Sequence, residues 1–235
     1  MLNQRRSSGV IHLELDRPER GNSLGPELVE ALIESVGNAT AEAGVHTLVL
    51  RGAGRHFCTG LDLSELPALS DGDLLWRLVR IETLLAMVWH APLRTVVLAH
   101  GRTWGAGADL LLACELRVAA QGTTFRFPGA QFGIVLGTRR LAERIGTDAA
   151  RALVLDGGEF DAAEACSAGL VQQVADDIPL ADPLVDAPTA RAIRAATRPD
   201  LRDADMATLV RSAAQPGLKA RITKYRERVH AARQA

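Results

Sequence analysis

Apolar and polar positions along the chain fall into short alternating blocks. Val10-Ile11-His12-Leu13-Glu14-Leu15 has period two and stops at Asp16-Arg17-Pro18, which predicts a strand ended by a proline turn. After the caps and breakers from Arg20 to Pro26, Leu28, Ala31, Leu32 and Val36 share one face, predicting a helix from Glu27 to about Ala41. Thr47-Leu48-Val49-Leu50 does not alternate and reads as a strand covered on both faces. It runs into a glycine-containing loop, Gly52 to Leu63. Leu75, Leu78, Ile81, Leu84 and Leu85 predict a helix over Leu74 to Trp89. Thr95-Val96-Val97-Leu98 is a third strand, followed by a glycine turn, His100 to Asp109, and a short buried helix ending near Cys114. Beyond it come a strand at Leu116 to Ala119, an extended piece at Thr124 to Pro128, and helical sequence from Leu141, including Ala149 to Leu155 and Ala162 to Ala168. A polar, proline-containing linker covers Asp176 to Pro188, and the end, Ala190 to Ala235, is helical with breaks at Pro199 and Pro216-Gly217.

Strands alternating with helices imply an α/β fold with parallel pairing, in which ligands bind where loops leave the carboxyl ends of strands. Both glycine loops occupy that position. At the second, small residues open the first turn of a helix, where unpaired N–H groups and the helix dipole favour negative charge. Such a turn serves either close packing or the holding of a developing anion.

Composition narrows the partners. With 235 residues and 47% hydrophobic content, the chain can bury one substantial core, assigned to residues 1–178, with a helical extension, 179–235, suited to oligomerisation. A net charge of -1, with acids and bases spread along the chain, excludes a basic field for nucleic acid or an anionic membrane face. The apolar region Leu84 to Cys114 is broken by His90, Pro92, Arg94, His100 and Arg102, so it does not span a membrane. Three cysteines in small or apolar settings fit a reducing cytoplasm. No His, Cys or Asp spacing suggests a metal site, and Gly105-Ala106-Gly107 lacks the further glycine of a dinucleotide fingerprint.

Leu15-Asp16-Arg17-Pro18 with Asn22-Ser23-Leu24 is followed by Phe57-Cys58-Thr59-Gly60-Leu61-Asp62-Leu63, then by Gly101, Gly105-Ala106-Gly107 and Ala113-Cys114-Glu115-Leu116-Arg117-Val118-Ala119. Phe127-Pro128, Gly133, Leu141, Gly158, Asp161-Ala162, Glu164-Ala165 and Gly169-Leu170-Val171 continue the series. In this order the fragments, which span residues 10 to 174, resemble the crotonase superfamily of enoyl-CoA hydratases and isomerases. The resemblance implies a spiral of repeated ββα units, a C-terminal helical region used in trimer or hexamer packing, and an acyl-CoA thioester as ligand, with no cofactor beyond the coenzyme A of the substrate. It also implies an oxyanion hole formed by the N–H groups of Leu61 and Ala106, which suits the charge a thioester carbonyl gains as an enolate forms.

Carried over residue by residue, the resemblance makes Leu61, Ala106 and Asp109 catalytic and places substrate against Arg20, Thr59, Gly60, Leu61, Asp62, Leu63, Trp104, Gly105, Ala106 and Gly129. Asp109 stands where hydratases of the family have a glutamate, and its other reading is a carboxylate serving the helix dipole. Three departures matter. Ala106 replaces a common glycine, Leu136 to Leu141 is a shortened loop, and Gly129 stands where hydratases carry their second glutamate. His56 and His100 flank the two loops and could move a proton, though a lone histidine is as readily structural. Arg17, Arg20 and Arg55 are candidates for phosphate contacts, while Cys58 and Cys114 read as core. The expected activity is that of an enoyl-CoA hydratase or isomerase in fatty acid metabolism. The alternatives are a CoA-binding accessory subunit of reduced activity, or a thioester hydrolase or decarboxylase using the same hole.

Overall fold

The computed structural model describes residues 1–178, 180 and 183–234. The chain opens with a hairpin, β1 (Leu2–Ser7) and β2 (Val10–Leu15), whose turn residues Ser8 and Gly9 have φ of 46° and 75°. Positive φ at both central residues is the two-residue turn that matches strand twist. In chain order there follow α1 (Pro26–Ala41), β3 (Thr47–Gly52), α2 (Asp71–Trp89), β4 (Arg94–Ala99), β5 (Arg102–Trp104), α3 (Ala106–Ala113), β6 (Leu116–Ala119), β7 (Thr124–Arg126), α4 (Thr138–Ile145) and α5 (Thr147–Asp156). The remainder comprises β8 (Glu159–Asp161), α6 (Ala162–Ser167), β9 (Gln173–Val174), α7 (Ala187–Thr197), α8 (Arg202–Ala213) and α9 (Leu218–Gln234).

The strands sort into a six-stranded sheet, β1-β2-β3-β4-β6-β9, and a three-stranded one, β5-β7-β8. The large sheet is parallel from β2 to β9, with β1 as its antiparallel edge. Between each large-sheet strand and the following helix the chain touches a second ladder. At β4 that contact is β5, at β6 it is β7, and in the two earlier turns it shrinks to single bridges, Leu24 to Leu61 and Cys58 to Thr103. The result is a winding of ββα units.

Lack of alternation in β3 and β4 has a direct cause: both faces are covered. Leu48, Leu50, Val97 and Ala99 face the main core against α1, α2 and α3, while Val49, Val96 and Leu98 join Val10, Val118 and Ile178 on the other face. A third cluster holds α8 and α9 against α2 through Leu74, Leu78, Leu209, Ala213, Leu218 and Ile222.

Several expectations need correction. β1 was not foreseen, because Asn3 to Ser7 are exposed and pair through main chain alone. Helix α2 begins at Asp71 rather than Leu74, started by a capping box between Ser70 and Asp73. The turn after β4 is not a direct strand-to-helix junction, since β5 lies inside it. α4 starts at Thr138 rather than Leu141, and β8 interrupts a stretch expected to be helical from Leu141 onward. The expected linker lies partly outside the described residues, at Pro179, Ala181 and Asp182, and Pro188 belongs to the first turn of α7. Pro179 and Ala235, the limits of the expected C-terminal region, are also outside them. No helix among the described residues is long and apolar enough to cross a membrane.

Candidate active site

Two loops meet at one wall of an apolar cavity of about 150 Å³. They are zipped together by main chain: Phe57 N–H donates to His100 O at 2.8 Å, and Trp104 N–H donates to Cys58 O at 3.0 Å. Gly60, at φ 96°, lies so close that a Cβ would come within 2.8 Å of Trp104 O and 3.3 Å of Ala106 N. Glycine is required there for both conformation and room. Gly105, the residue before α3, has φ 52° and ψ -129°, a conformation that side chains with a Cβ avoid. Its N–H is taken by Arg126 O at 2.8 Å.

This zipping leaves two donors over. Leu24 N–H donates to Gly60 O at 2.7 Å and Leu24 O accepts from Asp62 N–H at 3.2 Å, so the Leu61 N–H emerges on the opposite side of the segment. Ala106 is the first residue of α3, where no intrahelical acceptor exists. Among the described residues neither N–H has a partner, and both residues line the cavity.

Asp109 lies one turn into α3 and is 4% exposed. Its Oδ1 has no hydrogen-bond partner among the described residues. Burial drives its carboxyl well above the usual range, opposed by the Arg140 charge and reinforced by Glu82 and Asp205. Gly137 packs directly on it, for a Cβ at residue 137 would sit 2.1 Å from Oδ1. Asp109 is the only carboxylate among the described residues lining the cavity.

The other expected substrate contacts divide. Thr59, Gly60, Leu63, Trp104, Gly105 and Gly129 line the cavity with Leu61, Ala106 and Asp109. Trp104 is fixed by its Nε1–H to Thr124 Oγ1 at 3.0 Å, with the Arg102 guanidinium 4.8 Å from the ring. Gly129 opens a tight turn to Phe132, and its carbonyl accepts from Ile134 N–H at 2.9 Å. Arg20 and Asp62 stand away from the lining. Arg20 is exposed beside Gly21, and Asp62 is buried in an ion pair with Arg17 at 3.0 Å while accepting from Ser64 N–H. Burial pushes the Asp62 carboxyl up, but Ser64 and Arg17 more than offset it and hold it below the ordinary value.

Neither histidine reaches the cavity. His56 Nδ1 accepts from Arg102 N–H at 3.1 Å, and His100 Nε2 lies 3.0 Å from Gly54 O. Burial, then Arg102 and Arg55, depress His56. Cys58 and Cys114 are fully buried, with thiols pushed up to about 12 by desolvation. Of the arginines considered for phosphate, Arg17 is occupied by Asp62, while Arg20 and Arg55 are exposed.

Sequence reasoning missed the far wall and what stands behind Asp109. Phe132, Ile134, Leu136, Ile222 and Tyr225 line the cavity, and Phe132 and Tyr225 rings lie 5.1 Å apart. Behind Asp109, Arg140 bonds both oxygens of Glu82 and lies 3.2 Å from Asp205. One signal was available: Glu82 falls four residues after Leu78 and three before Leu85, on the apolar face of α2.

The family model for Enoyl-CoA hydratase/isomerase matches residues 5–231. The chain belongs to the enoyl-CoA hydratase/isomerase family. This family member is 33% identical over 180 residues to a Mycobacterium leprae (strain TN) protein named probable enoyl-CoA hydratase echA6, covering 74% of this chain and 71% of that one. Identity to the Mycosarcoma maydis enoyl-CoA isomerase/hydratase fer4 is 31%, over 72% of this chain and 66% of the relative. Among solved structures, an enoyl-CoA hydratase/isomerase family protein from Bordetella parapertussis superposes with a TM-score of 0.90 at 42% identity, covering 95% and 97% of the two chains. The crotonase fold and an acyl-CoA substrate class follow for this hydratase/isomerase family enzyme.

Proposed function

We propose that the enzyme holds an acyl-CoA thioester with its carbonyl oxygen between the Leu61 and Ala106 N–H groups, and that Asp109 moves a proton between substrate carbons. The observation that carries this reading is the pairing of two unpartnered main-chain donors with one buried, unpartnered carboxylate on the same cavity wall. Donors fixed in advance stabilise charge where it develops without reorganising.

A single carboxylate favours isomerisation. The Asp109 carboxylate takes the proton from the α carbon of a 3-enoyl thioester, the C–H electron pair passes into a dienolate held by the two N–H groups, and the protonated Asp109 returns the proton at the γ carbon, the far end of the former double bond. The double bond moves and no other group is consumed. Hydration asks for a base on water and an acid at carbon together, and Gly129, at the position where hydratases have a second glutamate, supplies neither. The apolar wall of Leu61, Leu63, Phe132, Ile134, Leu136 and Ile222 suits a hydrocarbon acyl chain. Thr59, Trp104 and Gly105 would flank the thioester. Exposed Leu184, Val185 and Ile193 offer apolar surface for a contact between copies of the chain in a trimer or hexamer.

A panel of 2-enoyl and 3-enoyl thioesters tests the assignment. Double-bond migration by wild type, lost by at least about 100-fold in Asp109→Asn with thioester binding retained, is the expected result. Unchanged turnover in Asp109→Asn would remove the carboxylate from the reaction. Binding without turnover across the panel would support the accessory reading, which the solitary carboxylate also fits.

A further inference from the structure

Three acids and one guanidinium converge in the interior behind the cavity, each from a different helix. Asp109 comes from α3, Glu82 from α2, Arg140 from α4 and Asp205 from α8. All four are nearly inaccessible: 4% for Asp109, 1% for Glu82, 1% for Arg140 and 6% for Asp205. Both terminal nitrogens of the guanidinium are already engaged, while its Nε–H has no partner among the described residues. Arg140 Nη1 donates to Glu82 Oε2 at 3.0 Å, Nη2 donates to Glu82 Oε1, and Nη2 lies 3.2 Å from Asp205 Oδ2. The half-exposed Arg139 adds a bond to Asp205 Oδ1 at 3.2 Å, from outside. Asp109 Oδ1 receives nothing from any of them.

We infer that Glu82 and Asp205 are positioning residues: by holding Arg140 to themselves they deny Asp109 its nearest cation and so set the proton affinity of that carboxylate. An acid left with a bare oxygen among two further acids is a strong base once ionised, which suits the removal of a weakly acidic carbon-bound proton. Were Arg140 free to turn toward Asp109, the carboxylate would be stabilised and a poor base. The charges facing Asp109 are thus Glu82 from α2, Arg140 from α4 and Asp205 from α8, with burial as the dominant influence. Burial also raises Glu82 against the pull of Arg140. Tyr225 of α9 is the other titratable side chain on the cavity wall. This assignment rests on the proton-transfer role proposed for Asp109, yet it can be measured without turnover.

The experiment follows the Asp109 carboxyl carbon by NMR in the free full-length protein labelled with 13C-aspartate, using Asp109→Asn for assignment. In wild type the midpoint should lie well above the ordinary carboxylate range. Glu82→Gln, which removes a negative neighbour and releases Arg140, should lower it by about one pH unit or more, a tenfold loss of proton affinity. Asp205→Asn should lower it in the same direction and stands in if Glu82→Gln fails to fold. Glu82→Asp, which keeps the charge, should hold the midpoint near wild type. Unmoved midpoints in Glu82→Gln and Asp205→Asn would overturn the inference. So would equal shifts in Glu82→Gln and Glu82→Asp, since packing alone would then account for them. The pH dependence of turnover separates the two claims. Its midpoint must move with the NMR midpoint, whereas its sense, rising with pH for a base and falling for an acid, tests the role given to Asp109.

Discussion

At the scale of single residues, the reactivity proposed for Asp109 stands against stability. Its folded-state proton affinity is raised by burial, so the folded chain retains a proton that the unfolded chain releases. Stability from this group is therefore fully present below the ordinary carboxylate range and is lost as pH rises through the raised folded value. Asp109→Asn should leave stability near wild type in acid and raise it progressively above that range, by about 1.4 kcal/mol of unfolding free energy for each pH unit up to the folded value, with the melting temperature rising in step. Thermal melts across pH check this, and a constant difference at all pH values would contradict it. Much at this scale was legible beforehand. Asp109, Gly60 and Gly105 stand at loop ends where chemistry concentrates, and the structure brings them to one cavity. Arg20 and Asp62 were harder to place, because a motif gives sequence adjacency but not the side of the strand on which a residue emerges. Leu61 and Asp62 are neighbours, yet Leu61 lines the cavity and Asp62 turns back to Arg17.

Among elements, the buried ion cluster ties α2, α4 and α8. Removing one partner of such a set leaves unpaired charge in the interior, so Arg140→Met should destabilise the fold by about 3–5 kcal/mol. Replacing Arg140, Glu82 and Asp205 together by apolar residues of similar size should cost much less, because no charge is then left unpaired. Chemical denaturation of the two variants decides between a cluster kept for stability and one kept for chemistry. A stable triple variant with a shifted pH profile is the expected outcome. Periodicity located the long elements well, since α1, α2 and the parallel strands each bury a wide apolar face. It failed where burial is not the organising force. β1 is held by main-chain pairing at an edge, and β5 and β8 are three residues long, too short to show a period. Arg140 within the polar run of α4 reads as surface, and only the arrival of α2 and α8 buries it.

For the whole molecule, the end of the chain completes the site. Ile222 is fully buried beside Leu74, Leu78 and Leu218, and with Tyr225 it lines the cavity opposite the loops of the first half. Ile222→Ala should cost about 2–5 kcal/mol and weaken thioester binding while leaving the pH midpoint of turnover in place. Calorimetric titration with a non-reactive acyl thioester and a pH–rate profile would measure the two effects separately. A role limited to packing would leave affinity unchanged. The helical end of the chain, expected as a packing or oligomerisation arm, also supplies one wall of the cavity.

The second ladder, reduced in the early turns to the single bridges Leu24 to Leu61 and Cys58 to Thr103, has an evolutionary consequence. The Leu61 N–H belongs to a peptide unit whose carbonyl accepts from Leu24 N–H, and the Ala106 N–H to one whose carbonyl accepts from Asp109 N–H in the first turn of α3, so their direction is set by main chain and owes nothing to the side chains at residues 61 and 106. On the proposed reading of these donors, activation of the carbonyl and selection of the acyl group are separable traits. Leu61→Met should shift preference among acyl chains while turnover of a small enoyl thioester stays within about threefold of wild type, roughly 0.7 kcal/mol of barrier. Competition between thioesters of different chain length would reveal it. A lineage built on this frame can drift to new substrates through its cavity wall without rebuilding the device that makes them reactive.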